Sequence, residues 1–416
     1  MVLSPIVAGL LTLTLTPAAA VTPTAAPPRE NAVVTWNAHA QTAIYEVARQ
    51  APYVAPRSFA MVHGAIYDAV NAIAGTPYEP YLIAPRAHRT DSADAAVASA
   101  AYTVLLDLFP AQSDALREQY DTALAAIPAG RSKAAGIAVG ARTADAMLTA
   151  RRGDGAFEPA TWNISTEPGQ WRPTPPALAA DGAWVGDMKP FVIDSNTRFR
   201  TAGPPPLTTA RYAADLNEVK AIGGATSTIR TADQTEAAIW WHDRRLTEWE
   251  IKRQVATRQH LNTLQAARFF AITEIANADS LIACFNEKKH WNFWRPITAV
   301  REAASDGNPQ TTADPTWTPL LVTPPFPDYT SGHTCSTSTI MATMRAFFGR
   351  DDIPFSAYSA DAGTTRSFTS FSSALNEVIE ARTWGGVHFR SADVQGARIG
   401  TGVAAYVLRH AFRSRH

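Results

Sequence analysis

Cysteine is scarce in this sequence of 416 residues, which contains only Cys284 and Cys335. Two cysteines cannot form the disulfide framework that holds small secreted domains together, so the fold must depend on hydrophobic cores. Hydrophobic residues make up 46% of the chain, and its length suggests two packed units. We expect both cysteines to be small buried hydrophobic residues.

An excess of charge of either sign is also absent, because 37 Lys and Arg residues balance 37 Asp and Glu residues. A balanced chain has no overall attraction for nucleic acid or for an anionic membrane. We therefore expect no nucleic-acid partner. Any site for an anion must be built locally from a few side chains.

Long apolar runs are missing beyond the N-terminus. The run from Ile6 to Leu15, followed by Ala18-Ala19-Ala20, resembles a secretory signal peptide that is cleaved near Ala20, although no Lys or Arg stands near Met1. The run is too short to span a bilayer, and no other segment reaches the ~18 apolar residues that a span needs. We expect a secreted protein without membrane spans; the alternative is a disordered apolar tail or a misplaced start.

Three common catalytic motifs are absent from the sequence. It has no His-Glu-x-x-His zinc pattern, no Gly-rich phosphate loop followed by Lys-Ser or Lys-Thr, and no Gly-x-Ser-x-Gly elbow. These absences argue against zinc proteases, P-loop nucleotide hydrolases and α/β-hydrolases.

Helical periodicity is the dominant pattern that is present, and no alternating strand pattern of useful length accompanies it. Five helices are predicted in the first part of the chain, over 32–48, 57–73, 92–110, 112–127 and 131–148. Later helices are predicted from the capping box of Thr231 and Gln234, over 253–288, from Ser331, over 372–382 and over 397–412.

The stretch between these two groups of helices is rich in proline and glycine. It contains Pro173-Thr174-Pro175-Pro176 and Pro204-Pro205-Pro206, which exclude a regular helix, while scattered tryptophans argue for an ordered segment. The predicted fold class is all-α, with two helical bundles and an ordered excursion between them. The predicted divisions are a signal peptide (1–20), an N-terminal bundle (21–151), an irregular Pro-rich excursion (152–224) and a C-terminal catalytic bundle (225–416).

Cationic residues mark the first of three segments that suggest chemistry. Lys288 and Arg295 are seven residues apart, so on one helix they would share a face about 10.5 Å apart. Pro296 disfavours helix at the residue before it, so Arg295 is expected just past the helix end. An arginine fork and a lysine point charge can close on an anion between them.

The second segment, Ser331-Gly332-His333, opens a predicted helix. The simplest role of Ser331 is to cap that helix. The same geometry presents free amide groups and the positive end of the helix dipole to an anion. His333 could then act as an acid or base beside the anion.

The third segment contains Arg382 and His388, separated by Gly385 and Gly386. The two glycines can end the helix and turn the chain, so that His388 faces the same site as Arg382. Asp393 follows and could orient the imidazole through its second nitrogen.

Together these segments resemble the superfamily of type 2 phosphatidic acid phosphatases and vanadium-dependent haloperoxidases. The resemblance is carried by the order Lys-x6-Arg-Pro, Ser-Gly-His and Arg-x5-His in the last third of the chain. Residues 57–73 and Pro204-Pro205-Pro206 are similar to the long bacterial haloperoxidase-like members, so the resemblance covers most of the chain, loosely in the first half.

The resemblance implies a role for each matching residue. The equatorial oxygens of phosphate or vanadate would be held by Lys288, Arg295, Arg382, Ser331 and the Gly332 amide. His388 would bind the central atom, as nucleophile in a phosphatase or as vanadium ligand in a haloperoxidase, and His333 would move protons.

This sequence departs from the family patterns at four positions. Ala381 replaces a common Ser, Thr330 replaces a common Pro, and Phe285 lies where a fungal chloroperoxidase-type site has Trp. Asp393 lies one residue further from His388 than in phosphatases, which weakens its expected role.

Three functions compete on this basis. The first is a vanadate-dependent haloperoxidase acting on hydrogen peroxide, halide and a small organic acceptor, with vanadate as cofactor and phosphate as its competitor. The second is a secreted phosphomonoesterase with a phospho-histidine intermediate, and the third a non-catalytic oxyanion-binding protein. The length of the chain favours the haloperoxidase. Phe326 also favours it, because chloroperoxidase-type members have a phenylalanine at this position near the halide. Phe326 could equally be a residue that only packs under the loop. His63, Asp68, His242 and His290 are expected to be structural.

Overall fold

The helices of this protein begin where the sequence provides capping side chains. The structure is a computed structural model that describes residues 30–242 and 244–415, except for the side chains of 244–248. In it, the side chains of Ser92, Thr231 and Asn262 each accept a hydrogen bond from the backbone amide three residues later. Such a cap stabilises a helix by about 1 kcal/mol. The α-helices of the described residues are α1 (Ala32–Gln41), α2 (Ala55–Ile73), α3 (Ala93–Leu108), α4 (Ser113–Ala125), α5 (Arg131–Arg151), α6 (Ala210–Ile222), α7 (Ala232–Trp240), α8 (Arg244–Arg258), α9 (Thr263–Trp291), α10 (Pro296–Arg301), α11 (Gly332–Phe348), α12 (Phe371–Trp384) and α13 (Arg390–His410).

The mostly helical character that the sequence predicts is confirmed. The five helices predicted before residue 151 correspond to α1–α5, and α1 continues as a π-helical segment over Thr42–Val47. The capping box of Thr231 and Gln234 is present at the start of α7. Helix α13 begins at Arg390, earlier than the predicted start at 397.

One predicted helix is two helices in the structure. The pattern over 253–288 is interrupted after Arg258, where His260 has a φ of 51° and Asn262 caps the start of α9. Asn262 and Gln265 form a second capping box, each accepting the other's backbone amide. The sequence did not reveal this break, because the apolar residues keep a helical spacing on both sides of it and that spacing does not record where a helix is capped.

A β-hairpin was not predicted. Strand β1 (Phe355–Ser359) pairs antiparallel with β2 (Thr364–Phe368), and Phe355 lies opposite Phe368. Gly363, with a φ of 66°, provides the left-handed residue in the connecting turn. Each strand has five residues, and burial alternates along both. With five residues each, the strands are too short for an alternation of apolar and polar residues to be distinguished from the helical pattern of the surrounding sequence.

The Pro-rich segment is ordered, and it also contains a helix where the sequence predicted none. Helix α6 begins at Ala210, within the predicted irregular range 152–224. Trp162 and Trp171 are buried, which agrees with an excursion that packs on the helices. Apart from α6 and the short 3₁₀ turn Val185–Asp187, this range has no helix in the structure.

Buried aspartates on two long helices hold extended segments in place. Asp279 of α9 accepts the amides of residues 191, 192 and 193 at 2.6, 2.8 and 2.9 Å. Asp68 of α2 accepts the amides of residues 81, 82 and 83 in the same way, at 2.7, 2.8 and 2.9 Å. Burial raises the pKa of each carboxyl to about 6, while the amide donors oppose that rise. Asp68 is therefore structural, as expected.

The helices share a continuous core. Helix α2 packs against α9, α11 packs against both α9 and α13, and the largest hydrophobic cluster runs from α1 to α12. The described residues from Asn31 onward form one compact unit. The predicted boundary between two bundles stays a prediction, and the predicted signal peptide lies outside the described residues.

No single helix of the described chain combines the length and the apolar composition that crossing a membrane requires. Within the described residues, the consecutive segments Ala93–Leu108 and Pro110–Ala125 meet the requirements for length and apolar composition only when they are taken together. The two segments are bent by 120° relative to each other.

The contact between α11 and α13 generates a stability prediction. A methyl group at Gly400 would lie 2.0 Å from Ser338 Oγ and 2.1 Å from the Cys335 carbonyl oxygen. We therefore expect Gly400→Ala to lower the free energy of unfolding by about 1–3 kcal/mol, because a backbone atom cannot move aside cheaply. Gly402→Ala on the same helix is the control, because its nearest neighbour is the Phe199 ring at 2.9 Å, which can rotate. Urea unfolding of both variants measures the difference; equal stability of the two would contradict this account of the packing.

Candidate active site

The three chemistry-bearing segments meet at one place in the fold. Helix α9 ends at Trp291 and Asn292 adopts a left-handed conformation, so the chain turns before Arg295, which lies at the start of α10. Helix α12 ends at Trp384, and Gly386, with a φ of 74°, turns the chain toward His388. Both turns agree with the sequence prediction. The site residues Lys288, Arg295, Ser331, Arg382 and His388 are all buried, none more than 1% exposed.

Arg295 joins the three segments. Its Nε donates to the Phe326 carbonyl at 2.7 Å, and its Nη1 donates to the Val387 carbonyl at 2.7 Å. Nη1 also lies 3.2 Å from Nε2 of His388. Burial lowers the pKa of Arg295 to about 10, which leaves the guanidinium charged at neutral pH. Nη2 is buried and has no hydrogen-bond partner among the described residues, so this cation can still bind an anion.

Lys288 holds the loop that leads into α11. Its Nζ donates to the carbonyls of Pro327 and Asp328 at 2.8 and 2.9 Å. Burial, together with the nearby charge of Arg295, lowers the pKa of Lys288 to about 8. The Phe326 ring lies 5.1 Å from Nζ of Lys288 and 5.1 Å from Cζ of Arg295, so one aromatic ring faces both cations.

Ser331 does not act as the helix cap that its position suggests. It occupies the N-cap of α11, but its side chain makes no capping hydrogen bond to the described residues of that helix. A methyl group at Gly332 would meet nothing closer than Leu281 and Phe285 at 3.9 Å, so protein packing does not demand glycine there. The start of α11 therefore presents helix-terminal amides to a ligand, and the Ser331 hydroxyl interacts with Asp393 rather than with its own helix.

The tautomer of His388 follows from its neighbours. An arginine can only donate, so the 3.2 Å contact with Arg295 Nη1 makes Nε2 of His388 the acceptor and places the proton on Nδ1. Nδ1 lies 2.7 Å from Oδ1 of Asp328, which is an ion-pair distance, although the contact does not have hydrogen-bond geometry. Burial, followed by the charges of Arg295, Lys288 and Arg382, holds the pKa of His388 well below its usual range. The imidazole is neutral, with the Nε2 lone pair facing the cations.

Asp328, and not Asp393, is the carboxylate beside Nδ1 of this imidazole. Asp393 accepts a hydrogen bond from Thr383 Oγ1 at 3.4 Å instead, and a hydrogen bond from Ser331 partly opposes the strong rise in its pKa that burial causes. Burial raises the pKa of Asp328 to about 7, against the opposing charges of Arg295 and Lys288. The suggested role of Asp393 was wrong because the carboxylate beside Nδ1 comes from the loop before α11, far from His388 in sequence.

His333 lies in the first turn of α11 beside the same site. Its Nε2 is 3.1 Å from the carbonyl oxygen of His242, an acceptor, so Nε2 carries a proton. When the ring is neutral, Nδ1 is then its basic nitrogen.

A cavity of about 320 Å³ opens onto the histidines. Its wall is largely apolar, apart from a few titratable side chains, and it consists of Pro52, Tyr53, His242, Leu281, Phe285, Val322, Thr323, Pro324, Pro325, Phe326, Gly332, His333, Asp361 and His388. A larger cavity of about 460 Å³ between α11, α12 and α13 contains none of the predicted site residues. The smaller cavity is therefore the candidate site, because predicted site residues line it and do not line the larger one.

Sequence reasoning missed two residues of this wall. His242 was expected to be structural, but it lines the cavity, whereas His63 is buried in the core, where its ring stacks on Phe270. Tyr53 lies at the cavity and donates its hydroxyl to Asp181 of the Pro-rich segment. No motif marks either residue, because the segments that carry them are distant in sequence from the catalytic motifs.

The arrangement fits a tetrahedral oxyanion such as vanadate or phosphate. Buried cations, a helix start and a basic imidazole nitrogen converge, and the buried Nη2 of Arg295 is left for a ligand. An acceptor-rich anion is the partner that a set of donors requires.

Comparison with known proteins agrees with this geometry. Residues 268–416 match the family model described as the VCPO second helical-bundle domain. Vanadium chloroperoxidase from Curvularia inaequalis is 29% identical over 40% of this chain, and the match spans about a third (34%) of that relative's length.

Solved structures share the fold over nearly the whole chain. A bacterial vanadium-dependent iodoperoxidase superposes with a TM-score of 0.78 at 23% identity, covering 94% of this chain and 100% of that one. A holo-type bacterial vanadium-dependent chloroperoxidase superposes with a TM-score of 0.67 at 19% identity, covering 88% and 96% of the two chains. These findings confirm the resemblance seen in the sequence: residues 268–416 match the second helical-bundle domain of this family, and the chain shares its fold with bacterial vanadium-dependent haloperoxidases.

Proposed function

We propose that this protein is a vanadate-dependent haloperoxidase that uses hydrogen peroxide to oxidise a halide, which then reacts with a small organic acceptor. The observation that carries the proposal is the neutral His388, whose Nε2 faces the buried cation Arg295 at 3.2 Å and whose Nδ1 lies 2.7 Å from Asp328. An unprotonated nitrogen beside cations suits a ligand that has both an electrophilic centre and anionic oxygens.

Charge neutralisation is the task of the cations and of the start of α11. Lys288, Arg295 and Arg382 would bind the equatorial oxygens of vanadate, with the Ser331 hydroxyl and the Gly332 amide. Because these groups are buried, their attraction for the anion is less screened than at a surface. Bound vanadate would supply Lewis acidity toward hydrogen peroxide.

Orientation of the ligating nitrogen is the task of Asp328. Its carboxylate lies 2.7 Å from Nδ1 and would accept the Nδ1 proton when vanadate is bound, which would fix the ring and strengthen Nε2 as a ligand.

Proton movement is assigned to His333. The His242 carbonyl holds its Nε2–H, so Nδ1 can take a proton from a substrate oxygen in the cavity and return it. The apolar wall around Phe326 would exclude bulk water and hold the halide near the histidines.

The same geometry also supports a second function, that of a phosphomonoesterase. A neutral imidazole with an unprotonated Nε2 and a carboxylate on Nδ1 is the arrangement of a nucleophilic histidine. Phosphate and vanadate should compete for the site in either case. We further propose that the protein is secreted, on the basis of the apolar run and small residues near its N-terminus.

Halogenation of a dye by purified protein tests the proposal. We expect dye halogenation that requires orthovanadate, hydrogen peroxide and a halide, tested as chloride, bromide and iodide, and that phosphate inhibits competitively. His388→Ala should remain folded and lose the activity, because the vanadium ligand is gone. His290→Ala, which removes an exposed imidazole, is the matched control. Hydrolysis of p-nitrophenyl phosphate without halogenation would favour the phosphatase, and neither activity in a vanadate-binding protein would favour the non-catalytic alternative.

The position of the orienting carboxylate generates a second prediction. Asp328→Asn should weaken vanadate binding and lower turnover by roughly 10–100-fold, the usual effect of removing the partner of a ligating histidine. Asp393→Asn should have a smaller effect, because its carboxylate does not contact His388. Calorimetric vanadate binding and saturation kinetics on both variants measure the difference, with circular dichroism as the folding control. A larger loss from Asp393→Asn would contradict the assignment and restore the expectation from sequence.

A further inference from the structure

A pair of thiols lies directly behind the anion-binding residues. Cys284 is on α9, one helical turn before Lys288, and Cys335 is on α11, one helical turn after Ser331. Both thiols are reduced and neither is exposed at all. They are the only cysteines of the chain, so any internal disulfide must join these two.

The two thiols share a polar environment in the protein interior. Thr330 Oγ1 lies 3.3 Å from Cys284 Sγ and 3.7 Å from Cys335 Sγ, and Cys284 Sγ donates to the Thr330 carbonyl at 3.4 Å. Each thiol also shifts the pKa of the other, since Cys335 lowers the pKa of Cys284 and Cys284 raises that of Cys335. Two cysteines that pack only as hydrophobic residues need no such shared hydroxyl.

We infer that Cys284 and Cys335 are a disulfide-forming pair, in which a peroxide oxidises Cys284 and Cys335 then closes a bond between α9 and α11 beside the anion site. This inference replaces the expectation from sequence that both are inert hydrophobic residues. It requires only peroxide and the two thiols, so it does not depend on halide oxidation.

The chemistry balances as one two-electron oxidation. The Cys284 sulfur attacks one oxygen of hydrogen peroxide, the O–O bond breaks, and a sulfenic acid forms while the other oxygen leaves as water. The Cys335 sulfur then attacks the sulfenic sulfur, the S–O bond breaks, and the departing hydroxide takes the thiol proton and leaves as a second water.

Cys284 is the better first nucleophile of the pair. Burial raises its pKa, but the hydrogen bond with Cys335, the Lys288 charge and Thr330 together bring that pKa below its usual value. Burial and the bond with Cys284 raise the pKa of Cys335. Neither thiol lines the cavity, so peroxide would have to pass the wall to which Phe285, the residue after Cys284, belongs.

The consequence of the bond would be mechanical. Helix α9 carries Lys288 and the start of α11 carries Ser331, so a covalent link between their adjacent turns would fix the spacing of two anion-binding groups. It would also restrict the unfolded chain, which raises thermal stability.

Thiol mapping of the full-length protein tests the inference. Reduced, folded protein is treated with hydrogen peroxide, unfolded, alkylated with iodoacetamide and digested without reductant. We expect the loss of both alkylation sites and the appearance of one linked pair of peptides, containing Cys284 and Cys335, that dithiothreitol separates. The melting temperature should rise on oxidation and return to its original value on reduction.

Two variants identify the order of the steps. In the Cys335→Ser variant, oxidation should stop at the sulfenic acid of Cys284, which dimedone traps. In the Cys284→Ser variant, dimedone should label Cys335 far less. Two alkylatable thiols after peroxide treatment, oxidation to sulfinic or sulfonic acid without a link, or a link that forms only in urea-unfolded protein would each overturn the inference. Because the main measurement uses the natural sequence, a variant that fails to fold does not affect the result.

Discussion

A buried guanidinium, that of Arg295, is the interaction on which the rest of the site depends. Its donors bind the carbonyls of Phe326 and Val387, so one side chain joins the loop before α11 to the turn before α13. An arginine without exposure must satisfy most of its donors inside the protein, and this requirement determines where both loops lie. The contact with His388 then fixes the imidazole tautomer, because arginine has no acceptor to offer. The position of one cation thus sets the chemistry of the neighbouring nitrogen.

The scaffold makes this burial possible by bringing helix ends together. Helix α11 packs closely on α13, where Gly396 and Gly400 allow backbone and side-chain atoms of α11 to approach, and on α9, which ends at the site. The Pro-rich segment packs against residues of the cavity wall, where Trp162 contacts Phe285 and Tyr53 donates to the Asp181 side chain. Helices therefore position the cations, and an ordered non-helical segment supports the aromatic wall beside them.

Much of this site was predictable from sequence because its chemistry is local. Lys288 and Arg295 lie within one short segment, Ser331 and Gly332 are adjacent, and two glycines turn the chain before His388. Each segment needs only a helix end in the right place, and Pro296, Gly386 and the Ser-Gly pair all indicate such ends. The mostly helical fold was predictable for the same reason, since 3.6-residue periodicity is a local signal.

What the sequence did not reveal depends on contacts between distant segments. Asp328 resembles an ordinary loop residue before a helix, and only the folded chain places it 2.7 Å from His388. Asp393 follows His388 in sequence and suggested the partnership that Asp328 has. His242 reaches the cavity from a segment that no motif connects to it. The hairpin and the break before α9 were not predicted, because short strands and a capping box hardly change the hydrophobic periodicity of the sequence.

The central claim is that Asp328 and Arg295 together hold His388 neutral, with Nε2 directed at a tetrahedral anion. The most direct measurement is a crystal structure of the protein with orthovanadate. We expect vanadium within bonding distance of Nε2 of His388, oxygens on Arg295 and at the start of α11, and Asp328 hydrogen-bonded to Nδ1 in the complex. Vanadium bound elsewhere, or Nδ1 turned away from Asp328 in the complex, would contradict it.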